Sequence, residues 1–158
     1  WIFTVNTNFD LPVLWERLAK VRSLQFTAES FGSGSGWNGR GAGPVSIEVV
    51  DSVTLLFHET GQWSPPEGSI LNFTNVFRWT ALPDQRLIRL EHLRFGRTNP
   101  VYLFDLQQTS ESRWDSVEPH VCSNDFYTAM LECQQDQLHL DWTVKGATKN
   151  DRIRYIYT

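Results

Sequence analysis

With 158 residues and a net charge of −4, the chain has the length of one domain that can bury a core. Its acidic balance, with a pI near 5.5, argues against a general nucleic-acid partner, which would require a basic surface. No run approaches the roughly 20 apolar residues that a membrane-crossing helix needs, so no membrane partner is expected.

In chain order, Asp10 is placed to cap a short helix in which Leu11, Leu14, Trp15, Leu18 and Val21 recur on one face, with Pro12 tolerated in the first turn. Helical periodicity then stops. Leu24, Phe26 and Ala28 alternate with polar residues as in a half-buried strand, and Gly32 to Gly36 reads as a flexible hairpin loop. From Trp37 onward, strands are predicted near 37–50, 52–63, 69–81, 86–95, 100–108, 112–122, 126–134, 137–145 and 151–157. The breakers between them include Ser64 to Gly68, Pro83-Asp84, Gly96 to Pro100, Ser123 to Asp125, Gln135-Asp136 and Gly146 to Asn150. Such short connections imply an antiparallel meander.

Two strands show their faces clearly. Leu138, Leu140, Trp142 and Val144 share one side of 137–145, while Leu71, Phe73, Phe77 and Trp79 share one side of 69–81, with Asn75 among them. The aromatic fraction of 13%, including seven Trp, supplies large apolar surfaces to such faces. About ten strands without a second helix are most economically protected by closure into a barrel. A sandwich would need longer crossovers than the sequence offers. The expected fold class is all-β: one domain over residues 1–158, an antiparallel up-and-down β-barrel with a short N-terminal helix.

Charge is unevenly spread. Arg86, Arg89, Arg94 and Arg97 stand against Glu91, and Lys145, Lys149, Arg152 and Arg154 against Asp151, whereas Glu111 to Asp136 is acidic. Alternating solvated faces and a basic rim that attracts an anion are both open readings. Cys122 and Cys133 are expected as free thiols, because a turn at Ser123-Asn124-Asp125 leaves them too far apart along the strands to bridge. Free thiols suit a reducing cytoplasm.

The sequence offers several candidates for chemistry. His120 and Cys122 share a strand face, with Asp125 and Tyr127 beyond the turn. The group lacks an orienting partner for a thiolate nucleophile and the four ligands of a zinc site, so no metal is expected. Asp125 is assigned to closing the hairpin, and His120 to a hydrogen bond in the rim. Glu59 continues the apolar face of Val53, Leu55 and Phe57, so it should point inward and be protonated, paired with Arg or His, or in contact with a polar ligand group. A wet position at the strand end is the alternative. His92 lies on one face with Ile88 and Leu90, whereas His58 and His139 face outward. The glycines of Gly36 to Gly43 lack the Lys-Ser/Thr of a phosphate loop and are assigned to a barrel corner. Trp37 is expected to plug the barrel end beneath Arg152 or Arg154.

Glycine-Trp at the first long strand, an N-terminal helix and a ten-strand meander resemble the calycin superfamily of lipocalins and fatty-acid-binding proteins. Glu91-His-Leu-Arg-Phe-Gly96, Pro100-Val-Tyr-Leu-Phe-Asp-Leu106, Pro119-His-x-Cys-x-x-Asp-x-Tyr127 and Trp142-x-Val-x-Gly-x-x-Lys149 resemble the calycin-like family of unknown function numbered 6314. That family's Gly-Pro-x-Lys appears here as Gly146-Ala-Thr-Lys149 without the proline. The resemblance implies a fold and a set of special positions but no reaction. Trp37-Asn-Gly-Arg-Gly41 and Leu138-His-Leu140 are also similar to segments of nitrobindin-type haem barrels. The outward direction of His139 counts against haem, and no cofactor is expected.

The expected function is binding of a small, partly apolar, anionic molecule in an aromatic-lined cavity, with Glu59, Asn75, His92, His120, Tyr127 and Trp142 as contact residues. An acid–base enzyme using Glu59 with His92 or His120 is the alternative. A protein-interaction module with a filled barrel and an exposed aromatic patch at Trp63, Pro65 and Pro66 or Trp114 is the third.

Overall fold

The computed structural model describes residues 8–32, 38–122 and 124–158, and gives only the backbone of His120 and Cys122. Helix α1 (Leu11–Leu18) is followed by β1 (Ser23–Ser30), β2 (Gly39–Asp51), β3 (Thr54–Ser64), β4 (Leu71–Leu82) and β5 (Leu87–His92). Then come β6 (Val101–Ser110), β7 (Arg113–Ser116), β8 (His120–Cys122), β9 (Asp125–Cys133), β10 (Leu138–Lys145) and β11 (Asn150–Tyr157). Every pairing is antiparallel, and β11 pairs with β1 while β9 pairs with β10, so the sheet closes on itself. Because β7 and β8 occupy successive stretches of one edge of β9, eleven strand segments make a ten-strand up-and-down barrel.

Alternation along the strands sorts the interior into two halves. At one end, Leu24, Leu55, Phe57, Trp79, Ile88, Leu106, Leu131, Leu138 and Tyr157 are almost fully buried and pack as a continuous core. Helix α1 covers this end by turning Leu14 and Leu18 into the core, neither of them exposed to solvent. Asp10 caps α1 through its carboxylate, which accepts from the Val13 amide at 3.3 Å. The Trp114 indole donates to the Phe9 carbonyl at 2.8 Å, and Arg17 donates to the Gln135 carbonyl at 3.3 Å, tying the helix region to the wall. At the other end, the inward residues of the same strands line a cavity.

Several details differ from the sequence reading. The strand predicted at 112–122 is broken at 117–119, where Val117 donates its amide to Asp105 and Pro119 has no amide to give. Beyond that point, among the described residues, β8 forms a ladder with β9 and not with β6, so no strand pairing closes the wall between 101–104 and 120–122. The β8–β9 turn is shorter than predicted. Cys122 pairs with Asp125, and Asn124 between them takes a positive φ of 70°. Asp125 therefore belongs to β9, and its carboxylate pairs with Lys149 at 3.1 Å. Strand β5 is shorter than 86–95, since Arg86 adopts a left-handed φ of 54° after the 3-10 turn Pro83–Gln85.

Cys133 is a buried free thiol whose pKa burial pushes up to about 12. The Cys122 backbone lies at the opposite end of β9, roughly 27 Å away at 3.4 Å per residue, which excludes a bridge. Trp114 is 1% exposed, so it offers no surface patch. Trp37 lies outside the described residues, as does residues 33–36 of the predicted loop. Arg152 and Arg154 both face Asp141, at 2.9 and 3.7 Å.

If α1 is the plug of the packed end, Leu14→Ala removes a fully buried side chain and should cost about 2–5 kcal/mol. Urea unfolding should show a lower midpoint at an unchanged slope. An unchanged midpoint would mean that the helix contributes little to the core.

Candidate functional site

The cavity at the open end encloses about 680 Å³. Its walls are the inward faces of β1, β4, β9, β10 and β11, and it extends to Val101, Tyr102 and Leu103 beside the gap in the wall. Eight of the 21 lining residues are Phe, Tyr or Trp. Phe26 meets Phe73 edge-on at 5.3 Å, and Trp142 stacks on Tyr155 at 6.4 Å and 23°. Phe104 approaches Trp142 edge-on at 6.0 Å from behind. Tyr155 in turn stacks on Tyr157 at 5.6 Å, joining the cavity to the packed core.

Gly41 has a specific part in this lining. It lies opposite Phe26 on β2, and a Cβ there would fall 2.2 Å from the Phe26 ring, so the ring rests on bare backbone. This close approach, more than strand bending, accounts for a glycine at position 41.

The polar groups of the cavity come from several elements. Asn75 on β4 pairs in register with Glu59 and lines the cavity. His92 stacks on Phe77 at 4.7 Å and 19°, and its pKa is lowered by burial and then by the neighbouring Arg94, so the ring is neutral at pH 7. Arg94 lines the mouth with its guanidinium 4.8 Å over the exposed Phe95 ring. Lys149 and Asp151 approach from the β10–β11 turn and the start of β11.

Glu59 faces inward, as its alternation predicts, but it lies beneath the cavity floor and does not line it. It is 1% exposed, and Oε2 accepts the Tyr157 hydroxyl at 2.7 Å, so its partner is a phenol and not Arg or His. A wet position at the strand end is thereby excluded. Burial raises its pKa from 4.5 to about 8, against the weaker lowering effect of the Tyr157 bond, and the acid is mostly protonated at pH 7.

Of the residues expected from sequence, Asn75, His92, Tyr127 and Trp142 line the cavity together. Glu59 underlies them, and the His120 side chain is outside the described residues, although its backbone pairs with Tyr127. His58 bonds Glu48 and His139 bonds Gln137, both at 3.0 Å and away from the cavity lining. Arg94 and Lys149 enter the sequence reading only as members of a basic rim, and it gives no site role to Asp151 or Tyr155. The last was accessible from the alternation Ile153, Tyr155, Tyr157, whereas Arg94 follows the end of its strand, where alternation gives no direction. Much of the presumed basic rim is neutralised: Arg89 pairs with Asp105, Arg97 with Glu48 and Arg152 with Asp141, each at 2.9 Å.

Two stretches distant in sequence meet at the mouth. Lys149 reaches Asp125 at 3.1 Å, and a Cβ on Gly146 would lie 2.0 Å from the Asp125 carboxylate. Tyr127 pairs with Val144 two residues further inward. The Asp-x-Tyr and Trp-x-Val-x-Gly-x-x-Lys stretches thus form one corner of the site, and the model of the family of unknown function DUF6314 matches residues 25–158, which include both. The chain belongs to DUF6314. The match leaves out α1 but takes in every strand of the barrel except the first residues of β1. No curated protein matches the chain significantly. DUF6314 membership therefore covers the strands of the barrel without assigning a reaction.

Because Glu59 keeps its proton in the fold up to about pH 8 but loses it near 4.5 when unfolded, folding binds a proton between these values. Stability should fall as pH rises through that window, by up to roughly 1.4 kcal/mol per pH unit. Glu59→Gln keeps an acceptor for Tyr157 and should flatten the dependence. Thermal unfolding from pH 5 to 8.5 checks it, and equal slopes in both proteins would contradict the assignment. Gly146→Ala should separate Lys149 from Asp125 and lower the melting temperature, whereas Ala147→Gly should not.

Proposed function

We propose that this chain is a calycin-like binding protein that holds a small, largely apolar molecule with an anionic group in the cavity at the open end of the barrel. The observation that supports this most directly is the contrast between the two halves of one interior. One half is packed to near-zero exposure, while the other keeps about 680 Å³ lined by Phe26, Phe73, Phe77, Trp142 and Tyr155. Small-molecule sites typically measure about 300–1,000 Å³ and combine apolar walls with a few convergent polar groups. Arg94 supports the anionic group, because among the described residues it has a ring contact and no ion pair, and it stands at the mouth. Lys149 adds positive charge partly offset by Asp125. Ring stacking would supply most of the affinity, with neutral His92, Asn75 and Tyr127 orienting the ligand. The buried free thiol of Cys133 is consistent with a reducing, cytoplasmic setting.

Acid–base catalysis is the second reading, favoured by the pKa of about 8 at Glu59. Its weakness is position: the carboxyl is bonded to Tyr157 below the floor, and His92 is engaged with Phe77. Conversion of a bound ligand to a different mass would favour this reading over simple binding.

Native mass spectrometry and a visible spectrum of freshly purified protein, followed by titration with anilinonaphthalene sulfonate, test the proposal. A reproducible extra mass, or a single saturable site with enhanced dye fluorescence, is expected. Arg94→Gln should weaken dye binding roughly tenfold, as loss of a charge-assisted contact of about 1.5 kcal/mol implies. A bare chain mass together with no dye enhancement would overturn the reading, and a Soret band would replace the proposed ligand with haem.

A further inference from the structure

The wall formed by β10 and β11 carries two buried polar atoms without a hydrogen-bond partner in the described structure: Nε1 of Trp142 and Oδ1 of Asp151. Both residues line the cavity. In the β10–β11 ladder, Trp142 lies opposite Ile153 and Val144 opposite Asp151, so Trp142 and Asp151 are diagonal neighbours on the inward face. Diagonal neighbours stand roughly 7–8 Å apart, a separation that one small functional group can bridge.

Their chemistry is complementary and fixed. An indole N–H can only donate, and a carboxylate oxygen can only accept. The nearby cations make their ion pairs with other carboxylates: Lys149 with Asp125 at 3.1 Å, with Asp151 only a weaker electrostatic neighbour, and Arg152 with Asp141 at 2.9 Å. The Trp142 ring is held between the face of Tyr155 and the edge of Phe104, which limits its freedom to turn the N–H elsewhere. Leaving a buried donor or acceptor unpaired costs free energy, so a ligand that satisfied both atoms would gain selectivity as well as affinity.

Building on the binding function proposed above, we infer that the ligand is a flat ring system bearing a carboxamide- or lactam-type group. Its carbonyl accepts from Trp142 and its adjacent N–H donates to Asp151. The aromatic walls select the flat apolar body, and the Trp142–Asp151 pair selects the group attached to it. Such a ligand is distinguished from a plain hydrocarbon chain, which would leave both atoms unpaired.

Three naphthalenes of similar size separate these contributions: the carboxamide, the methyl ketone and the methyl-substituted hydrocarbon. Their affinities are measured by calorimetry on the full chain, with circular dichroism confirming the fold of each variant. The wild type should bind the carboxamide about tenfold more tightly than the hydrocarbon, with the ketone between them. Trp142→Phe should abolish the advantage of the ketone over the hydrocarbon, and Asp151→Leu that of the carboxamide over the ketone. Each advantage is read as a ratio of affinities within one protein, so a general loss of binding in a variant does not imitate the loss of selectivity. Equal affinity of the wild type for all three would overturn this inference and leave the cavity as a general apolar site. No binding of any of them, together with no binding of anilinonaphthalene sulfonate, would overturn the binding function as well.

Discussion

Closure of the sheet, completed where β1 meets β11 over Leu24 to Ser30 and where β9 meets β10, is the constraint on which the rest of the molecule depends. An open ten-strand ribbon would expose two long edges and would need a second layer to cover its apolar face. Closing removes the edges and brings the inward side chains of all strands together, but a ring of ten strands encloses more space than one layer of side chains fills. The chain resolves this unevenly. Trp79, Phe57, Tyr157 and Trp114 fill one end and α1 closes it, while the other end stays hollow.

That division makes the boundary between the halves the chemically tense part of the barrel. Glu59 lies there, held by the Tyr157 hydroxyl and nearly excluded from water. A charge at this depth would be poorly compensated, so the proton stays on. Above it, Tyr155 joins Phe26, Phe77 and Trp142 into a connected set of rings, so the cavity floor rests directly on the packed core. The same linkage ties the shape of the cavity to the stability of the fold.

Opposite the floor, the mouth is organised by contacts distant in sequence. Asp125, Gly146 and Lys149 fix the corner where β8, β9 and the β10–β11 turn meet, while the break at 117–119 leaves the wall open beside β6. Apolar side chains remain exposed around this region, including Val117 at 42%, Val121 at 55% and Phe126 at 50%. Pro119 and the short β8 limit pairing at that point, so the opening follows from backbone chemistry and not from a missing strand in the pattern.

Strand alternation and turn residues were enough to read the order of elements, the capping of α1 by Asp10 and the inward direction of Glu59, Asn75, His92 and Trp142, because a period of two and a cap are local properties. They also allowed closure to be inferred, since ten short antiparallel strands without covering helices have few other stable arrangements. Only the tertiary structure decided which inward residues pack and which surround empty space. It also decided that Glu59 meets Tyr157 across 98 positions of sequence, and that Asp125 meets Lys149. The physical reason is that alternation specifies which face a side chain takes, whereas depth along the barrel and partners across it arise only when the register of every strand is set at once.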